Sequence, residues 1–388
     1  MSAIAVAVPF TVPPFTDEAL AAAQRVLSSG WVTTGPECLA FEAELAAHLG
    51  QPHVVSVASC TQAIELSLRA LRLSPGAPVL TPSLTFCGAV AAIVHAGYRP
   101  VLVDTDETTL TPNESTVSDA VARAGRPAAM VTCALGGYPV DSAALARAAG
   151  LPYGRIVLDA AHGPGGEVGR ADRATAPFAT CLSFYATKNV PVGEGGAVAT
   201  YDEDFASWLR AARLHGMSRD AWRRYLPGGS WRYDVPEIGF KANLTDLQAA
   251  IGRAQLAALP GWQRRRAEIF ARYDAALADP VQAGALALPA RHSGHAMHLY
   301  QVRVPRRDDV AARLAELGIG TSVHFIPVHR LSGYADLLGP GELAAVPVTD
   351  RIADELLSLP LYPGLADEAV DAVAGTLTEL VTQERRAS

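Results

Sequence analysis

HVVSVASCTQAIELSLRAL (53–71) decides the fold. Its first seven residues form a short β-rich run, and TQAIELSLRAL (61–71) turns helical. The same alternation recurs downstream. APVLTP (77–82) precedes the helical FCGAVAAIVHAG (86–97), and RPVLVDT (99–105), AAMVTCA (128–134) and GRIVLDA (154–160) follow. CLSFYA (181–186) then pairs naturally with GAVATY (196–201). Apolar strands separated by helices predict an α/β fold with a mostly parallel sheet covered on both faces. Such sheets bind ligands at the carboxyl ends of their strands.

Upstream, DEALAAAQRVLS (17–28) reads as a helix with Gly30 just past its end, and a second helix runs from Pro36 to about His48, stopping at Gly50. Downstream, residues 247–277 read as helical with a break at Pro260 and Gly261. Beyond it, MHLYQVRV (297–304) and TSVHFIPV (321–328) read as strands, and DDVAARLAELG (308–318) and DEAVDAVAGTLTELVTQ (367–383) as helices. This predicts an N-terminal arm and helix over 1–30, a large domain over 31–258 and a smaller α+β domain over 259–388. The length of 388 residues suits two or three domains, at roughly 100–200 residues each.

Hydrophobic residues make up 49% and charged residues 18%, enough apolar material for a large core. A formal charge of −7 with no long run of one sign argues against nucleic acid as a partner. The basic trio Arg264, Arg265 and Arg266 reads as a solvated helix face rather than an anion site. Five cysteines without a CxxC fit reduced thiols in a cytoplasm. MSAIAVAVPFTVPPF (1–15) has no positive n-region and is broken by Pro9, Pro13 and Pro14, so it makes a poor signal peptide. The apolar stretches fall short of the roughly 20 residues that cross a membrane.

Lysine and arginine total 32, yet Lys188 and Lys241 are the only lysines. A lysine kept where arginine has taken over the solvated cationic positions is either an accidental survivor or serves a purpose a guanidinium cannot, because lysine forms a Schiff base at neutral pH. Lys188 lies in SFYATKNVPVGEGGAVAT (183–200): a strand, the lysine, a turn with Gly193, Gly195 and Gly196, then a returning strand. This places the lysine in a loop beside a sheet edge. Asp159 ends the apolar run IVLD, where an acid must be paired. A pyridinium nitrogen is one such partner, and a helix cap or ion pair is another.

Ser59-Cys60-Thr61-Gln62 matches an S-x-x-Q capping box between strand and helix. The turn is either a plain capped helix or a phosphate site, with Ser183 adding a hydroxyl. Phe86, after VLTP, either stacks on a flat ring or packs in the core. His162 either contacts a ring hydroxyl or caps a helix. His324 and His329 straddle Pro327 without one-face helical spacing, which does not suit zinc.

With these residues in order, the chain resembles the DegT/DnrJ/StrS family of sugar aminotransferases, which have the aspartate-aminotransferase-like type I fold. The resemblance spans nearly the whole chain. It rests on SGWVTTGPECLAFE (29–42), SCTQAIELSLRAL (59–71), TPSLTF (81–86), GYPVD (137–141), LDAAHG (158–163), SFYATKN with GEGG (183–196), LHGMSRD (214–220), TDLQAAIGRAQL (245–256) and GTSVHFIPVH (320–329). It implies pyridoxal 5'-phosphate as cofactor, carried by Lys188 as a Schiff base. Asp159 would hold the pyridine nitrogen, Phe86 would stack on the ring and His162 would lie by the ring oxygen. Cys60, Thr61 and Ser183 would bind the phosphate.

The resemblance also implies a homodimer with shared active sites, in which a GyNyR segment reaches the partner's phosphate. Here that segment reads Gly239-Phe240-Lys241-Ala242-Asn243, so Lys241 stands where Asn is usual and Asn243 where Arg is usual. Lys241 is then either a phosphate ligand or an exposed charge flanking a helix. Two further departures are Thr132-Cys133-Ala134-Leu135-Gly136 in place of a VHLYG-like stretch, and Cys60 where glycine is frequent. His324 and His329 would border the active site, with structural hydrogen bonding as the alternative. The implied reaction moves an amino group from glutamate to a nucleotide-linked keto-sugar. The short ATKN-to-GEGG spacing resembles relatives that act at the sugar C4 rather than C3, which points to a 4-keto-6-deoxyhexose in deoxyaminosugar and secondary-metabolite biosynthesis. Rival readings are an enzyme forming an aminocyclitol or aminobenzoate, and a non-catalytic regulatory protein that binds the same cofactor. Relatives that dehydrate the sugar carry histidine in place of the lysine, which Lys188 argues against.

Overall fold

The computed structural model describes residues 7–167, 172–217 and 233–387, with side chains to 382. The first half of the chain lays down α1 (Asp17–Ser29), α2 (Pro36–Leu49), β1 (His53–Val57), α3 (Cys60–Ala70), β2 (Pro78–Pro82), α4 (Cys87–His95), β3 (Arg99–Val103) and α5 (Glu114–Ala124). There follow β4 (Ala129–Cys133), α6 (Ser142–Ala148), β5 (Ile156–Asp159), β6 (Ala179–Ser183), β7 (Gly196–Thr200), α7 (Glu203–Ala212) and α8 (Asp246–Ala276). The C-terminal part adds α9 (Ala278–Gln282), β8 (Tyr300–Arg303), α10 (Arg307–Glu316), α11 (Ser332–Leu343), α12 (Pro347–Ala353), β9 (Leu356–Leu359) and α13 (Asp367–Ala387).

Local chemistry explains the helix ends. The Thr16 hydroxyl accepts from Ala19 N–H at the start of α1, and Gly30 closes that helix at φ 75°. Thr245 and Gln248 form a full capping box at the start of α8. The expected box at Ser59 and Gln62 is only half made. Ser59 accepts from Gln62 N–H, but Gln62 Oε1 is buried without a partner among the described residues.

Seven strands form one sheet in the order β1-β7-β6-β5-β4-β2-β3. Strands β3, β2, β4, β5 and β6 run parallel, while β7 is antiparallel to both β6 and β1. Strand β6 therefore lies between β5 and β7, so the Lys188 loop leaves an interior strand and not a sheet edge. Successive residues point to opposite faces. Val157 packs with Ile64, Ile93 and Leu209 on one side of the sheet. Leu158 packs with Phe41, Leu45 and Leu256 on the other. Both faces are covered, so the strands are apolar throughout.

The C-terminal part has its own core, in which Ile269, Phe270 and Tyr273 of α8 meet Tyr300, Leu357, Val373 and Leu377. The same helix gives Leu256 and Leu259 to the core beneath the sheet. This corrects the expected break at Pro260: α8 runs through it unbroken. A proline inside a helix costs ~3 kcal/mol, and burial of apolar side chains on both sides of it offsets that cost, so the helix continues. Arg266 is corrected as well. It is 3% exposed rather than solvated, and its guanidinium makes long contacts of 3.4 Å to the Met297 and Leu361 carbonyls. The trio sits where the helix passes under the C-terminal part, so one of its faces must be inward.

Residues 321–328 are no strand either. They make one bridge, Ser322 to Ser358, and end in a 3-10 turn at Val328–Arg330. Pro327 has no N–H to give a ladder, and the segment instead crosses to the large part, where Val328 N–H donates to the Ser83 carbonyl at 2.9 Å. Pairing of the first expected C-terminal strand is confined to Tyr300–Arg303, opposite β9. Among the described residues no helix is long and apolar enough to cross a membrane.

Candidate active site

The parallel strands bring their carboxyl ends to one side of the sheet, where a cleft of about 450 Å3 opens. Its floor carries Cys133, Asp159, Ser183 and Lys188. Strand register accounts for this, because Cys133 pairs with Asp159 and Asp159 with Cys181, two residues before Ser183. The C-terminal part supplies a wall with His298, His324 and Phe325, and the N-terminal arm adds Phe10 and Thr11.

Asp159 is buried. Its Oδ1 accepts from Ala161 N–H at 3.0 Å and from the Cys60 thiol at 3.6 Å, which leaves Oδ2 without a protein donor among the described residues. Burial raises its carboxyl above the usual carboxylate range, opposed by the Ala161 N–H, the Lys188 charge and the Cys60 thiol. Lys188 is half-buried, and its Nζ makes no hydrogen bond among the described residues. Burial pulls its amine below the ordinary lysine value, while Asp159, Cys60 and Cys133 pull the other way.

The start of α3 faces the same space. Ser59 takes the N–H of Gln62, and the Cys60 and Thr61 N–H groups have no intrahelical partner. Gly196 allows this turn to lie against β7: a methyl group there would stand 2.5 Å from the Ser59 carbonyl carbon and 2.7 Å from Cys60 N. At Gly88 a methyl group would meet the Thr61 hydroxyl at 2.5 Å, so α4 begins tight against α3. Phe86 is 54% exposed on the cleft and is not a core residue. The Ser183 hydroxyl accepts from Tyr185 N–H at 3.3 Å and keeps its own proton to give.

His162 is buried, and its Nδ1 accepts from Gly136 N–H at 3.1 Å, so Nε2 carries the proton. Burial holds this imidazole well below the ordinary value, with the Lys188 charge adding to the effect. It is a neutral donor. Gly136 belongs to the divergent 132–136 stretch, so that stretch supports His162, and only its Cys133 lines the cleft.

Two residues named from the sequence are not brought into the cleft. The His329 ring joins Ser83 Oγ at 2.6 Å to Asp350 Oδ1 at 2.8 Å, clamping the loop after β2 to α12. Lys241 is exposed, with its Nζ on Asn243 Oδ1 at 2.6 Å. Its segment runs beside the end of β1, where Ala58 N–H donates to the Ala242 carbonyl. His324 does line the cleft, with Nδ1 3.0 Å from Ser358 Oγ, and burial lowers its imidazole to about 4. Residues 218–220 of the LHGMSRD motif lie outside the described residues. Sequence reading missed His298, Phe325, Phe10 and the side chain of Asn189. The one available signal was a histidine two residues ahead of the strand in MHLYQVRV.

An acid and a lysine amine on one floor, beside a free helix start and an open aromatic face, define a site for a flat, phosphorylated carbonyl cofactor. Residues 14–378 match the DegT/DnrJ/EryC1/StrS aminotransferase family, and the chain belongs to it. Spore coat polysaccharide biosynthesis protein SpsC of Bacillus subtilis (strain 168) is 40% identical over 383 residues, 96% of this chain and 97% of SpsC. The sugar aminotransferase CalS13 from Micromonospora echinospora superposes with a TM-score of 0.82 at 29% identity, covering 96% of this chain and 99% of its own. Spr1654 from Streptococcus pneumoniae, in its PLP form, gives 0.86 at 27% identity over 97% and 99% of the two chains. The chain is a sugar aminotransferase that uses pyridoxal phosphate (PLP).

The residues present fit that cofactor. Asp159 Oδ2 has an acceptor site left for a ring N–H. The two α3 amides suit phosphate oxygens, and Phe86 offers a face to the ring. The glycine at 196 keeps the phosphate turn within reach of the lysine loop.

Proposed function

We propose that this enzyme takes an amino group from glutamate and gives it to a nucleotide-linked keto-sugar, a 4-keto-6-deoxyhexose aminated at C4, in deoxyaminosugar biosynthesis. The observation that carries the catalytic part is that Lys188 and Asp159 line one cleft floor, with Lys188 Nζ and Asp159 Oδ2 making no hydrogen bond among the described residues. The bound cofactor supplies an electrophilic carbonyl and a ring that draws in electrons. Asp159 would accept the ring N–H through Oδ2, and His162 would donate Nε2–H to the ring oxygen. The Cys60 and Thr61 amides and the Ser183 hydroxyl hold the phosphate. Burial lowers the cost of the neutral Lys188 amine, which would accept and return a proton at the Cα of the amino donor. The C-terminal wall, with His324 and Phe325, keeps water from the reacting atoms.

The short ATKN-to-GEGG spacing supports the C4 assignment, and the similarity to SpsC, a spore coat polysaccharide biosynthesis protein, supports a role in the biosynthesis of a sugar. The enzyme acts as a homodimer with shared sites. Supporting this, Leu20 and Leu27 lie seven residues apart on one face of α1 at 63% and 58% exposure, an apolar surface suited to a second copy. Lys241 reaches the partner's phosphate in that arrangement. All five cysteines are free thiols, which supports a cytoplasmic setting.

Mixing the purified, cofactor-loaded protein with glutamate tests the donor: its visible absorbance band should convert. A panel of nucleotide keto-sugars then tests the acceptor. Turnover of 4-keto substrates is expected. Turnover of 3-keto substrates alone overturns the C4 assignment, and no conversion with any donor overturns the aminotransferase reaction itself.

A further inference from the structure

Asn189 follows the reactive lysine and is 2% exposed. Its amide nitrogen donates to the Pro164 carbonyl at 2.9 Å and to the Ala296 carbonyl at 3.0 Å. These two acceptors fix the orientation of the amide, so its Oδ1 is the atom 3.0 Å from His298 Nδ1. An amide oxygen only accepts, so His298 carries its proton on Nδ1. The backbone of His298 is anchored as well. Its N–H donates to the Gly136 carbonyl at 3.0 Å, and the Gly136 N–H donates to His162 Nδ1 at 3.1 Å. The circuit closes by ring contact, with the His298 and His162 rings 4.3 Å apart and tilted by 30°.

We propose that His298 is a positioning residue for Lys188: through the Asn189 amide, its imidazole registers the lysine loop against the loop that carries Asp159 and His162. Three chain segments meet at this one amide. One leaves β6 with Lys188, one leaves β5 with Asp159, His162 and Pro164, and one enters β8 from the C-terminal part. The link to His298 spans 109 residues of sequence, so the C-terminal part sets the geometry of a loop built by the large part. Burial keeps His298 well below the ordinary histidine value, with the His162 ring next in weight. A neutral ring can give one N–H to Asn189 without bringing a second charge beside Lys188.

Loss of the Nδ1–H bond frees the Asn189 oxygen and lets the lysine loop drift toward water. A desolvated amine would then recover part of its basicity. The inference rests on Lys188 being the reactive lysine, and the test separates the two. Because the chain has two lysines, labelling of the cofactor-free protein with acetic anhydride across pH, read by mass spectrometry, follows Lys188 with Lys241 as the reagent control. Borohydride reduction of the cofactor-loaded wild type first shows which lysine holds the cofactor. Attachment anywhere but Lys188 refutes the reactive-lysine reading, whatever His298 does.

With Lys188 confirmed, His298→Phe should raise the labelling midpoint of Lys188 by about one pH unit and weaken cofactor binding about tenfold. kcat should fall about tenfold with little change in KM for the sugar. His298→Asn, which keeps a side-chain N–H for Asn189, should restore most of each loss. Combining His298→Phe with Asn189→Ala should be no worse than Asn189→Ala alone, since both cut one link. Three results overturn the proposal: a His298→Phe protein with wild-type labelling and affinity, a His298→Asn protein as impaired as His298→Phe, or losses that add in the double variant. If His298→Phe does not fold, Asn189→Ala is read by the same labelling and affinity measurements, and wild-type values there refute the idea.

Discussion

The two lysines of this chain occupy opposite kinds of place. Lys188 leaves an interior strand, is half-buried and faces Asp159, with no hydrogen bond at its amine among the described residues. Lys241 is exposed and holds Asn243 at 2.6 Å. Burial acts on the first and pulls its amine below the ordinary value. The scarcity of lysine marks both residues, but only one is given the desolvated surroundings that carbonyl chemistry needs. Lys241 does not line the cleft of its own chain, so the proposed contact with a cofactor phosphate would be with that of a second copy.

The sharpest way to break this contrast is Lys188→Arg. The charge is kept and imine chemistry is lost, so the folded variant should hold cofactor weakly, show no visible band and turn over no substrate. Full turnover would move the reactive role elsewhere. Asp159→Asn comes next. An amide cannot hold the ring proton electrostatically, and the expected loss is about 2–5 kcal/mol in cofactor or transition-state binding. A near-normal rate would make Asp159 a structural partner of Cys60 and Ala161 only.

The buried side of the contrast also predicts a pH response. Burial holds His162 and His298 well below the ordinary 6.5, and His295 and His324 at about 4. These rings stay neutral in the folded state and take up protons in the unfolded one once the pH drops below 6.5. Stability is therefore full above that value and is lost as the pH falls from it toward about 4. Each such ring contributes up to ~1.4 kcal/mol per pH unit in that window. Urea midpoints at neutral and mildly acidic pH should show the fall, and flat midpoints would mean the rings are solvated.

The smallest effect belongs to the exposed lysine. Lys241→Ala should leave the fold intact and weaken cofactor binding by ~1 kcal/mol, the scale of one exposed cation on a phosphate. Mixing Lys241→Ala with Lys188→Ala subunits sharpens the point. If Lys241 serves the neighbouring site, a mixed dimer has one site with both lesions and one with neither, and activity partly recovers. Subunits that exchange freely and stay inactive would leave Lys241 as a solvated charge.

Much of this was legible in the chain because it is local. Thr16, Gly30 and Gly50 mark helix ends through bonds and φ angles that need only neighbouring residues. The run IVLD places Asp159 at a strand end, and the motif around Lys188 predicts a strand, a loop and a return strand that the sheet contains. Other features depended on partners far away in sequence. Pro260 was expected to break a helix that continues through it, packed against two hydrophobic cores. Arg266 was expected in water and lies under the C-terminal part. Residues 321–328 have the pattern of a strand but bond across to the loop at Ser83. Asp246 accepts three N–H groups at the start of α2, from Gly35, Glu37 and Cys38, a cap more than 200 residues distant that no local pattern announces.

The sequence by itself determined the alternation of strand and helix, the family and the pair Asp159 and Lys188, because periodicity and residue chemistry are properties of short stretches. Tertiary structure alone decided which strand the lysine loop leaves, which histidines stand at the cleft and which of the two lysines is desolvated. The reason is that burial and hydrogen-bond partnership are set by whatever comes to lie alongside. For Lys188, that includes an imidazole 109 residues further along the chain from its neighbour Asn189.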